Sequence, residues 1–304
     1  MTALSKTIRR RERRHRIKLA LATLWCAVFA IIFLLPTVLT VTNSFMTPSE
    51  ISANYGVIFE QSEQGAKKFM ASQVILKFIP DKVAFSQYAR ALLLGPEYLL
   101  KFWNSVILVV PIVIFQVAVA ALASYSFMRT RSRLKSAIFF IYIIIMLMPH
   151  QVSQVPNYMI AQTLGILETR WAIVLPGIFT PFSVFILTKS MRRIPYTMIE
   201  AAKLDGAGEW AIFSRICVPM CKSAMYSVAI LVFIDYWNMV EQPLIMLSDS
   251  EMHPLSVFLS TINSGEISLA FAAATIYMIP PILIFLHGEE YLVEGITYAG
   301  GLKG

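Results

Sequence analysis

The sequence predicts an all-α integral membrane protein of six transmembrane helices with both termini cytoplasmic, and three observations lead there. Only 14% of the 304 residues are charged while 57% are hydrophobic, and the mean hydropathy is +0.65. Soluble domains carry nearer a quarter charged residues, so lipid is the natural solvent for the excess apolar surface. The apolar residues gather into six stretches separated by polar loops. Lys and Arg concentrate in alternate loops, the bias that fixes cytoplasmic sides.

Residues 1–18 hold Lys6, Arg9, Arg10, Arg11, Arg13, Arg14, Arg16 and Lys18 against Glu12, and form a basic cytoplasmic N-terminus. Residues 19–42 carry no charge. At 1.5 Å per residue they cross about 30 Å of hydrocarbon, longer than the core of a cleaved signal peptide, so they read as an uncleaved first span. Residues 43–101 mix acids and bases and read as an extracytoplasmic segment, with 85–94 its best helix candidate.

Residues 102–128 are the second span, closed by Arg129, Arg131, Arg133 and Lys135. Residues 136–160 are the third, with Pro149 and Pro156 marking a kink or partial unwinding in its outer half. Residues 161–170 make an outer turn. Residues 171–188 form the fourth span, 223–247 the fifth, 248–266 an acidic outer loop without Lys or Arg, and 267–287 the sixth. The transmembrane core is thus 102–288, with a tail over 289–304.

Between the fourth and fifth spans, the loop at about 190–222 holds a run that cannot cross hydrocarbon yet is too apolar for a plain linker. Ile199, Ala202, Ala207, Trp210, Ala211 and Phe213 recur at near-helical spacing around Gly206 and Gly208. The pattern reads as two short helices joined by a glycine turn and docked on another protein. Lipid headgroups are the competing neighbour, but such helices carry Lys/Arg-rich polar faces, and Glu200, Asp205 and Glu209 argue against that.

Glu200-Ala201-Ala202, three residues, Gly206, nine residues, then Ile216-x-x-Pro219 resembles the EAA motif of bacterial binding-protein-dependent ABC importers. Trp103-Asn104-Ser105, Ala123-Ser-Tyr125-Ser-Phe127, Pro149 with Pro156, Ile194-Pro195, Trp237-Asn238 and Gly295-Ile-Thr297…Gly301-Leu302-Lys303-Gly304 resemble the MalG-like sugar-importer branch. The resemblance runs from about residue 75 to the end. Val218-Pro219 stands where the family usually has Leu-Pro, and 287–294 is acidic where the family is aromatic and basic.

The resemblance implies the type I (MetI-like) importer transmembrane fold in the bacterial inner membrane. It implies a second, MalF-like permease, two copies of an ABC ATPase subunit, an external solute-binding protein and a carbohydrate substrate. Glu200, Ala201, Ala202, Asp205, Gly206, Ile216 and Pro219 would then couple to the ATPase. Gly301, Leu302, Lys303 and Gly304 would reach the ATPase interface.

No phosphate-cradling Gly-x-x-x-x-Gly-Lys-Ser/Thr, His-Glu-x-x-His or Gly-x-Ser-x-Gly is present. The chain is therefore expected to be non-catalytic and to bind no cofactor, with ATP and Mg on the partner ATPase. Cys26, Cys217 and Cys221 lack the His or acidic partners of a metal set and read as inert. Most of the net basic charge sits in residues 1–18, ahead of the first apolar span, a topogenic placement that speaks against nucleic acid.

Asp235, Asn238 and Gln242 recur at i, i+3 and i+7 in the fifth span. Asp235 falls about 20 Å into the bilayer by helical rise, where a charge faces a cavity or a partner. With Trp237 or Tyr236 at its edge, this stripe is expected either to line the solute path or to pair with the sister permease. An ion- or proton-coupled secondary carrier using Asp235 is the alternative function, and a receptor or scaffold a third. Gln151 and Gln154 are expected to satisfy backbone freed by the prolines, with solute contact as the alternative. His150, His253 and His287 read as isolated.

Overall fold

The computed structural model describes residues 3–63, 76–129, 132–261 and 266–300, and every regular element among them is helical. The chain divides into two compact units, residues 1–94 with 262–275, and residues 95–261 with 276–304.

The first unit opens with α1, Ala3–Asn43, whose apolar side chains such as Trp25 and Phe33 are exposed, as a lipid-facing helix requires. Helix α2 follows over Pro48–Glu63, and α3, Ser86–Ala89, runs into a π-helical turn over Arg90–Leu94. Met46, Ile51 and Tyr55 pack with Ile267 and Phe271 from the later part of the chain. Asn43 Nδ2 donates to the Tyr55 hydroxyl at 2.7 Å, and Ser44 Oγ meets the Tyr88 hydroxyl at 2.6 Å. Glu50 ties residues 77–81 to α2, pairing with Lys77 at 3.0 Å and accepting from the Asp81 amide at 2.9 Å.

The second unit is built on α4, Pro96–Arg129, an unbroken helix of 34 residues. Helices α5, Arg133–Met146, and α6, His150–Thr163, meet at a bend of 105°. Pro149 occupies the break, where its ring excludes a continuous helix. Helices α7, Trp171–Ile178, and α8, Pro181–Met191, follow, then α9, Tyr196–Leu204, and α10, Glu209–Ile212. A π-helical turn over Phe213–Cys217 and α11, Val218–Met220, lead into α12, Lys222–Trp237, and α13, Glu241–Met246. Helix α14 spans Leu255–Ser260, and α15, Ile267–Gly300, passes from the first unit into the second after Thr275.

Helices α7, α8 and α12 pack on α4 around Leu108, Ile112, Ile173, Leu187 and Val228, all essentially inaccessible. Several polar groups in this apolar interface are matched across helices, where an unpaired one has no water to turn to, although the buried Gln116 Oε1 has no partner among the described residues. Gln116 Nε2 donates to Ser183 Oγ (2.6 Å), Thr188 Oγ1 to Ser124 Oγ (3.1 Å), and Ser124 Oγ to the Val184 carbonyl (3.0 Å).

Among the described residues, four stretches are long and apolar enough to span a membrane: Arg16–Asn43, Glu97–Arg129, Trp171–Met191 (α7 and α8 together) and Ile267–Val293. Two more arise if the bent pairs Arg133–Met146 with His150–Thr163, and Glu209–Met220 with Lys222–Trp237, each count as one.

The fifth apolar stretch departs from expectation. Its helix stops at Trp237, so Asp235, Asn238 and Gln242 do not share one helical face. Pro243 has no amide hydrogen to give the Met239 carbonyl, its partner in an unbroken helix. Ser256 Oγ donates to that carbonyl instead, and Asn238 caps α12 by donating from Nδ2 to the Ile234 carbonyl at 2.8 Å.

Candidate functional site

The loop expected to carry two helices and a glycine turn does so. Pro195 precedes the first turn of α9, and the Met198 amide donates to the Pro195 carbonyl at 3.1 Å. The helix ends in a reciprocal pair of backbone bonds. The Gly206 amide donates to the Lys203 carbonyl at 3.0 Å, and the Ala207 amide to the Ala202 carbonyl at 2.9 Å. This closure needs a left-handed residue, and Gly206 supplies it at φ +81°. Ala202 and Ala207, on either side of the turn, both pack against the core with Ile199 and Ile212.

One face of this elbow is thus held by the bundle while the other stays open. Glu200, Ala201, Asp205, Gly206 and Pro219 are exposed; Ala202 and Ile216 are half-buried. Two large apolar side chains stand beside the exposed acids, Leu204 at 89% exposure and Trp210 at 70%. Neither Glu200 nor Asp205 has a side-chain partner among the described residues, so both carboxylates remain free for an outside group.

The residue that sequence reasoning undervalued is Glu209. It begins α10, and its carboxylate takes both arms of the Arg129 guanidinium, Nε at 3.0 Å and Nη2 at 2.7 Å. Lys203 Nζ lies 2.9 Å from the same carboxylate, and the Tyr125 hydroxyl donates to it as well. A two-pronged guanidinium–carboxylate contact fixes orientation as well as distance. The elbow is therefore fastened to the end of α4. Arg129 was legible as a topological charge and Tyr125 as part of a motif; their meeting with Glu209 spans 80 residues or more and leaves no local pattern.

The second expected site assembles differently from the stripe. A cavity of about 550 Å³ is lined by His150, Asp235, Tyr236, Asn238, Glu241 and Gln242 among others. Asp235, Asn238 and Glu241 are exposed and Gln242 is buried. Trp237 does not join them. It is 1% exposed, stacks on Phe233 and Tyr277, and donates from Nε1 to the Tyr277 carbonyl at 3.2 Å, so it locks α12 to α15.

Two further expectations are revised. Gln154 Nε2 donates to Glu241 Oε2 at 2.8 Å instead of repairing proline-freed backbone, and Gln151 is exposed. His150 lines the cavity, and His253 Nε2 contacts the Leu247 carbonyl at 2.8 Å, so neither is isolated. The expected tail contact at Gly301, Leu302, Lys303 and Gly304 lies outside the described residues.

The opposite end of α4 carries a second polar clamp. Buried Asn104 donates to the Glu251 and His253 carbonyls at 2.6 and 3.2 Å and accepts from Arg170 Nη2 at 2.8 Å. Ser105 Oγ accepts from the Leu255 amide at 3.0 Å. Glu168, left-handed at φ +65°, accepts from the Ser248 amide and hydroxyl, and these bonds hold its carboxyl below the ordinary carboxylate range.

Residues 116–297, which contain both the elbow and the cavity, match the family described as binding-protein-dependent transport system inner membrane component. The chain is 26% identical to the arabinooligosaccharides transport system permease protein AraQ of Halalkalibacterium halodurans, over 78% of this chain and 86% of that one. It is 28% identical to the lactose transport system permease protein LacG of Rhizobium radiobacter, over 65% and 73% respectively. The fold is shared with a bacterial ABC transporter involved in the import of the acidic polysaccharide alginate. There the TM-score is 0.74 at 19% identity, over 92% of this chain and 98% of that one. With well over half its length inside the family match, this chain belongs to the inner-membrane components of binding-protein-dependent transport systems, multi-pass transport subunits and not enzymes.

Proposed function

We propose that this chain is one of two permease subunits of an ATP-driven carbohydrate importer. Two copies of an ATPase subunit on the cytoplasmic side would drive it, and an external binding protein would deliver the solute. The observation that carries the reading is the elbow at 196–220. Its underside is buried and clamped by Arg129, while Glu200, Leu204 and Asp205 are exposed and Trp210, its ring tilted against Phe213, is 70% exposed. Exposed apolar residues beside free acids suit a protein surface better than water or headgroups. A push on this face passes through the Glu209 clamp and Gly206 closure into α4 and α12.

Carbohydrate is supported by relatives named for arabinooligosaccharides and lactose. The cavity chemistry agrees: the carboxylates of Asp235 and Glu241 and the amides of Asn238 and Gln242 match sugar hydroxyls, and Tyr236 offers an aromatic face.

The test is uptake by the assembled importer in proteoliposomes. Asp235→Asn, Asn238→Ala and Glu241→Gln are expected to raise the KM for solute severalfold with normal assembly. Unchanged affinity and rate in all three would remove the cavity from the path. Uptake without ATP, driven by an ion gradient and lost in Asp235→Asn, would replace the reading with a secondary carrier.

A further inference from the structure

A separate pocket of about 800 Å³ opens at the end of α4 near the start of α5. Its polar lining is Arg129, Lys135, Ser136, Arg192 and Tyr196, and no acid lines it among the described residues. Glu209 compensates Arg129. The other two cations are not compensated. Lys135 Nζ spends two donors on Ser126, its carbonyl at 3.1 Å and its hydroxyl at 3.0 Å, and has a third to give. Arg192 lies over the Phe139 ring, 4.9 Å from its centroid, and has no ion-pair partner among the described residues. Two uncompensated cations facing one concavity create a potential that an anion relieves.

We propose that this pocket binds a phosphate-bearing anion, and that its source is the headgroup of an anionic membrane lipid. A tetrahedral phosphate accepts simultaneously from the Lys135 ammonium, the Arg192 guanidinium and the Ser136 and Tyr196 hydroxyls, which a flat carboxylate does less completely. The remaining lining is apolar: Phe127, Met128 and Ile194. Helix α5 continues outward with exposed Leu134, Ile138, Phe140 and Ile141, an apolar surface suited to acyl chains. On α8, Lys189 sits 4.9 Å from the Phe185 ring centroid, so a second cation over an aromatic ring marks the same interfacial level. Basic pockets between helices at this level are suited to anionic headgroups. An acidic patch on the ATPase is the competing occupant, but a concave pocket backed by apolar side chains fits a small headgroup with chains better than a protein surface.

The experiment uses the whole importer complex in nanodiscs of phosphatidylcholine with or without phosphatidylglycerol, and counts retained phosphatidylglycerol by native mass spectrometry. The double variant Lys135→Gln/Arg192→Gln is expected to bind phosphatidylglycerol about thirtyfold more weakly, the effect of two lost interfacial cations. Arg193→Gln, which removes a neighbouring charge outside the lining, is expected to retain it. Arg192→Gln alone, at an exposed residue, serves if the double variant fails to assemble. Equal retention by the pocket variants and the parent would overturn the proposal. So would protection by inorganic phosphate with no phosphatidylglycerol retained, which would assign a soluble ligand. Loss of the ATPase from the variant with lipid retention intact would assign the pocket to that protein. The readout is lipid retention, so it stands or falls separately from solute transport and from coupling at the elbow.

Discussion

At Gly206 a single backbone angle decides whether the elbow can turn. A side chain at φ +81° clashes with its own backbone, at a cost of about 1–2 kcal/mol, although open space surrounds the position. Gly208 is extended and equally uncrowded. Gly206→Ala is therefore expected to lower the thermal midpoint of the purified complex and slow ATP-coupled uptake, with Gly208→Ala near the parent in both. Arg129→Lys keeps the charge but loses the two-pronged grip on Glu209. It is expected to leave ATPase activity running with less solute moved per ATP, measured as the ratio of uptake to hydrolysis. Glu168 makes a pH prediction. Bonds from Ser248 lower its folded pKa below the ordinary value of 4.5. Its contribution to stability is present in full above that value and fades as pH falls through the lowered one. The difference in thermal midpoint between parent and Glu168→Gln, followed from about pH 6 to about pH 3, is expected to shrink toward acid. A constant difference would show that the carboxylate is not what matters there.

At the scale of elements, α4 carries a clamp at each end, Asn104 at one and Arg129 at the other, with α7, α8 and α12 along its length. Asn104→Ala leaves the Arg170 guanidinium and two carbonyls short of a partner in a buried setting. The expected loss is about 1–3 kcal/mol, read as a lower unfolding midpoint with the 248–255 segment becoming more accessible to protease. This clamp shows where sequence reading reaches its end. Trp103-Asn104-Ser105 was recognisable as a motif, but its partners Glu251 and His253 lie 147 and 149 residues away. The short helices α9 and α10 were legible because their apolar spacing and glycines are local signals. The break after Trp237 was misread because i, i+3, i+7 counting assumes a continuous helix; Pro243, four residues past Met239, held the contrary signal. Helix α2 gave little sign of itself in a segment of mixed charge, and its burial rests on Ile267 and Phe271 from far along the chain.

For the molecule as a whole, hydropathy was the strongest signal. Lipid selects long apolar helices, and four spanning stretches with two bent pairs are present among the described residues. What composition does not encode is how a span is broken: the 105° bend falls between Met146 and His150, the 73° bend falls between Met220 and Lys222, and after Trp237 the Met239 carbonyl is taken by Ser256. The same limit explains why the cavity gathered His150 and Glu241, from α6 and α13, beside Asp235 of α12. Under the proposed function these parts form one device: an elbow that would meet an ATP-hydrolysing neighbour on its exposed side and is clamped on the other to α4, with the cavity that would pass the solute lined from α6, α12 and α13. Cross-linking from Ala201→Cys in the assembled importer tests that claim most directly. The account predicts capture of the ATPase subunit, modulated by nucleotide. Capture of lipid or of the second permease alone, with the importer assembled and active, would contradict it.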